Sequence, residues 1–152
     1  MEISAIIQQI QFVLAPAVMI SSVALLLLGF QNKFSNLANR FRVLNHEKRI
    51  LNQKQHRDSI DDGRLQNLLS QIEFLVRRAA HVKNVILLSY AGIVCFILTS
   101  VTIFLGVYAT QQFFPIILGF FLLGLLLILI AAVTEIIEVA LAFKVIDLES
   151  KS

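Results

Sequence analysis

Three charge-free stretches decide what this chain can fold into. Phe12 to Phe30 carries no charged residue in 19 positions, Val85 to Ala109 none in 25, and Phe113 to Thr134 none in 22. A hydrocarbon core of about 30 Å takes roughly 20 helical residues, so each stretch is long enough to cross a bilayer. A soluble alternative fails on area. Apolar residues make up 57% of the chain and charged ones 15%, too little polar surface to cover such a core in water. The expected fold is an all-α integral membrane protein with three transmembrane helices, at residues 12–31, 85–109 and 113–143.

Lys and Arg set the orientation. Eleven of the 13 lie between Asn32 and Asn84, the other two follow from Lys144 onward, and residues 1–31 and the turn at Gln111 have none. Short loops rich in Lys and Arg stay in the cytoplasm. The N-terminus and the Gln111 turn are therefore expected outside, and segment 32–84 and the tail 144–152 inside. The first stretch reads as a retained span rather than a cleaved signal, because Glu2 stands where a basic region belongs and no small-residue cleavage pattern closes it.

A heptad crosses the expected membrane boundary without a break. Ile20, Val23, Leu27, Phe30, Phe34, Leu37, Phe41 and Leu44 alternate spacings of three and four, and the series resumes at Leu51. From Asn32 onward the remaining faces turn polar, which marks an amphipathic helix in water. Leu65, Leu68, Ile72, Leu75, Ala79, Val82 and Ile86 repeat the device, and Ser89, Ile93 and Phe96 carry it into the second span. Between the arms, residues 57–63 supply a glycine and capping side chains and read as a tip. The prediction is a long basic cytoplasmic helical hairpin of coiled-coil type over 32–84, projecting on the order of 30 to 40 Å. Val43, Ile50, Leu69 and Val76 fall just off the seam and call for another partner, from which a homo-oligomer is expected. Residues 1–11 are amphipathic, with Ser4, Gln8 and Gln11 opposite Ile3, Ile6, Ile7 and Ile10. They either lie in the outer interface or extend the first span beyond Pro16.

Two constellations bear on function. Glu135 and Glu138, three apart at the inner end of the third span, are expected level with Arg77, Arg78, His81 and Lys83, as an ion-paired interfacial collar or as a cation or proton site. Gln8, Gln11 and Ser22 share a face of the first helix with Ala15, Gly29 and Asn36; that stripe either lines a pore or packs against a neighbouring helix. In the second span Gly92, Cys95, Thr99, Thr102 and Gly106 read as a packing stripe against a third span containing Gly119 and Gly124.

No metal or cofactor site is expected. His46, His56 and His81 are scattered, His46-Glu47 lacks the second histidine four residues on, and Cys95 is the single cysteine. Nucleotide loops and nucleophile elbows are absent from the sequence, so a non-enzymatic role is expected. The hairpin's 11 basic against five acidic residues fit anionic lipid headgroups. Nucleic acid is not the expected partner, since the aromatics lie on the seam rather than among the charges.

The stretch around Pro16 to Leu44, with Asn32-Lys33 at the inner end of the first span and the spaced Arg40 and Arg42, resembles the bacterial domain-of-unknown-function family twenty-seven twenty-one. Arg77-Arg78 before the second span and the close second and third spans fit as well, while Asn39 stands where the family pattern carries an acidic residue before the arginine. The resemblance implies a small bacterial membrane protein and adds no catalytic residues. The expected location is the bacterial inner membrane. Two roles stand from the sequence: a structural or interaction scaffold whose hairpin meets a cytoplasmic protein or anionic lipid, and a homo-oligomeric ion channel lined by the first helix.

Overall fold

The computed structural model describes residues 3–53, 59–106 and 114–150; the side chains of 3–6, 8, 9, 59, 60 and 141–150 lie outside the description. Three helices account for the described residues: α1 (Ile3–Gln53), α2 (Ser59–Gly106) and α3 (Phe114–Ser150). All three contain a stretch long and apolar enough to cross a membrane. Residues 3–11 continue α1 through Pro16, which is buried. Of the segment read as the tip, residues 59–63 form the first turns of α2, where Asp61 and Asp62 complement the positive end of the helix dipole. Arg57 and Asp58 lie outside the described residues, as does the Gln111 turn. Residues 144–150 of the expected tail are helical and continue α3.

The chain divides into two compact units, one of Met1–Leu28 with Val85–Ser152 and one of Gly29–Asn84. In the first, Val23, Leu27 and Phe96 form the buried core, with Met19, Ile20, Ile86, Ile93, Phe121 and Ile128 packed against it. The rings of Phe96 and Phe121 meet tilted, centroids 5.8 Å apart. Helices α2 and α3 approach at glycines. A Cβ on Gly92 would lie 2.6 Å from Ile128 Cδ1 and 3.3 Å from the Gly124 carbonyl oxygen, and one on Gly124 would lie 3.2 Å from Cys95 Cβ. Buried Ser89 and Thr99 donate their hydroxyls to the carbonyls of Val85 and Cys95 four residues back, at 2.9 and 2.8 Å, so neither leaves a polar group unsatisfied in an apolar setting.

The second unit has a narrow core. Leu44, Leu51, Leu68 and Leu75 are buried together, with Leu37 and Ile72 against them. The two helical segments lie side by side and run antiparallel. Only five residues separate Gln53 from Ser59, and at about 3.5 Å each these are too few to return along the first segment. The ion pair between Glu47 and Arg64, 2.5 Å from Oε1 to Nη2, fixes the register near the far end.

Candidate functional site

What distinguishes the Gly29–Asn84 unit is what its seam leaves uncovered. Leu44, Leu51, Leu68 and Leu75 take the inward heptad positions, which puts Glu47 and Arg64 together on one broad face of the helix pair, as their contact records. At 100° per residue the same face receives Arg40, Val43 and Ile50 from α1, and Phe74 and Arg78 from α2. Arg40, Glu47 and Arg64 stand nearest the inward leucines and border the groove between the helices; Val43, Ile50 and Phe74 stand further out on its flanks. The opposite face receives Leu69, Val76, Asp62 and Glu73 from α2, and from α1 Phe41 and Lys48 beside the groove with Arg42 and Arg49 at its edge.

Both faces carry exposed apolar side chains. Val43 is 66% exposed, Ile50 51% and Phe74 55% on the first; Leu69 is 42% and Val76 50% on the second. Large side chains this exposed, grouped on a helix pair otherwise rich in charge, make these two faces the candidate site. Both carry more basic than acidic side chains, the second with Arg42, Lys48 and Arg49 on its α1 half. Arg40, Arg64 and Arg78 outnumber Glu47 on the first face, where the Arg78 guanidinium lies 5.8 Å from the centre of the Phe74 ring. On the second face the α2 half carries two carboxylates, Asp62 and Glu73; Glu73 accepts a hydrogen bond from Arg77 one turn on, at 2.6 Å.

The other residues singled out in the sequence fall as follows. Arg77 is thus engaged along its own helix, while His81 and Lys83 are exposed. Glu135 and Glu138 share one face of α3, each partly buried, with the Oε2 atoms shielded from solvent. On α1, Gln11, Ala15, Ser22, Gly29 and Asn36 are all exposed, and an added Cβ at Gly29 would meet nothing within 4 Å. The Ser22 hydroxyl donates to the Val18 carbonyl at 3.0 Å. Gln8 lies in α1 with its side chain outside the description. Cys95 is a buried free thiol, and among the described residues no group of three His, Cys, Asp or Glu side chains is placed to hold a metal ion.

Phe74 and the two ion pairs escape a reading of the seam alone, although a signal for them exists. Assigning each residue a heptad position places Phe74 on the same face as Val43 and separates both from Leu69 and Val76.

No curated protein and no solved structure matches the chain. A family model does match, over residues 13–148, which takes in the three apolar helices and the Gly29–Asn84 unit. The chain belongs to the family described as protein of unknown function DUF2721.

Proposed function

We propose that this protein is a homo-oligomeric scaffold of the bacterial inner membrane, holding a helical hairpin in the cytoplasm as a surface for assembly. The observation that carries this reading is the exposure of Val43, Ile50, Phe74, Leu69 and Val76 on a helix pair whose own core consists of four buried leucines. Four leucines make a narrow core for a unit of that size, and association would bury further apolar surface. The orientation, with the N-terminus outside and the C-terminus inside, rests on the concentration of Lys and Arg between Asn32 and Asn84. The spans support association too. In the most apolar stretch of each helix only 17%, 28% and 11% of the residues are buried within the chain, leaving wide faces for lipid or for neighbouring copies. Anionic headgroups and a cytoplasmic protein are further partners that the basic hairpin suits.

Native mass spectrometry of the full chain from nanodiscs tests the reading. An assembly of several copies is the expected result, and a monomer at micromolar concentration overturns it.

A second reading has its own observation. The exposed row of Gln11, Ala15, Ser22, Gly29 and Asn36 gives α1 a polar, small-residue face, which in a ring would line the pore of an ion channel. The interfacial carboxylates Glu135 and Glu138 and the basic residues Arg77, Arg78, His81 and Lys83 would then set ion preference. In planar bilayers Ser22→Leu abolishes conductance if this face lines a pathway; no conductance in the parent protein removes the reading.

A further inference from the structure

We infer that the α1 part of the Gly29–Asn84 unit binds the same segment of another copy, parallel and in register, along a charge-free stripe on its outward side. The inference rests on the homo-oligomeric reading above and specifies its contact. The stripe is Asn36, Asn39, Val43, His46, Ile50 and Gln53, whose spacings alternate three and four. At 100° per residue these six fall within an arc of about 100°, on the side of α1 turned away from Leu37, Leu44 and Leu51. All six are exposed. The helix of the same copy that packs on the leucines therefore leaves them uncovered.

Charge is missing from this stripe where it would ordinarily collect. Between Asn36 and Gln53 the chain carries Arg40, Arg42, Glu47, Lys48 and Arg49, and all five fall outside the arc. A face exposed to water for its own sake takes charged side chains. The other arm does so: Glu73 and Arg77 stand on the side of α2 away from Leu68 and Leu75 and pair with each other across one turn.

What would cover a stripe of this kind is decided by its chemistry. An anionic lipid surface calls for Lys and Arg, and an unlike protein can meet a charge with its opposite. A second copy seated in register cannot, because each residue then meets its own counterpart and any charge meets its like. The six residues satisfy that condition one by one. Val43 on Val43 and Ile50 on Ile50 make apolar layers. The amides of Asn36, Asn39 and Gln53 each carry donors and an acceptor, and a neutral imidazole at His46 carries one of each, so these side chains can hydrogen-bond to their own counterparts. Asparagine at such a position also fixes the register. A slide of one heptad sets the Asn36 amide against Val43, where it finds no partner.

The test uses the full-length chain in its membrane with Cys95→Ala as background. Under copper-catalysed oxidation Val43→Cys and Ile50→Cys should each give a disulfide-linked dimer, well above the collisional yield set by Val76→Cys on the other arm. Val43→Lys added to Ile50→Cys should lower that dimer about tenfold, because it replaces an aliphatic layer with facing like charges. Val43 is exposed in the single copy, so the leucine core of the unit is untouched by the change. Co-expressing the Val43→Lys and Val43→Glu forms of Ile50→Cys under different tags should restore linkage, as mixed dimers. Linkage at Val76→Cys equal to that at Ile50→Cys, or no recovery in the mixed pair, overturns the contact. Linkage of Val43→Cys to a co-expressed Ile50→Cys above either self-linkage overturns the parallel register. An oligomer by native mass that links at neither position overturns the contact and leaves the scaffold reading standing, whereas a monomer overturns both.

Discussion

A methyl group added at Gly124 would lie 2.8 Å from Phe96 Cε1 and 3.2 Å from Cys95 Cβ, against a ring that is itself fully buried. The ring has nowhere to retreat, so Gly124→Ala should destabilise the chain by about 1 to 3 kcal/mol, the usual cost of overpacking. Gly119→Ala, where an added Cβ meets nothing within 4 Å, should be neutral or mildly stabilising. Thermal unfolding of both variants in the same detergent checks the contrast, and equal midpoints would refute it. Composition alone pairs Gly119 and Gly124 as partners of the second-span stripe. Only Gly124 makes the close approach, because five steps along the helix place Gly119 about 140° round from it.

At the scale of the helix, the heptad is legible almost throughout. Val23, Leu27, Leu44, Leu51, Leu68, Leu75, Val82, Ser89 and Phe96 are buried where the spacing places them; Phe34, at 38% exposed, is the departure. What the heptad cannot show is a helix with two neighbours. Within the first unit α2 packs against α1 and α3 at once, so its buried face is wider than one seam and takes in Val85, Cys95 and Thr99 as well. A single period describes a single partner. In the second unit one seam suffices, and its four leucines make a definite prediction. Leu75→Ala should cost about 2 to 4 kcal/mol of local stability, read as faster amide hydrogen exchange across residues 37–51 and 65–75 of the intact protein. Unchanged protection there would show that the cluster does not hold the pair together.

For the whole molecule, the three apolar stretches and the basic segment between the first two are plain from charge alone, since a bilayer and water impose opposite compositions. The candidate surface is half legible. Val43, Ile50, Leu69 and Val76 stand out as apolar residues off the seam, but a set of exposed residues carries no sidedness until a contact such as Glu47–Arg64 shows which edges lie together. That contact has a consequence during synthesis. Its partners are only 17 residues apart in the chain, so bringing them together closes a short loop at small entropic cost. The two arms are thus able to meet before the residues beyond Asn84 have left the ribosome.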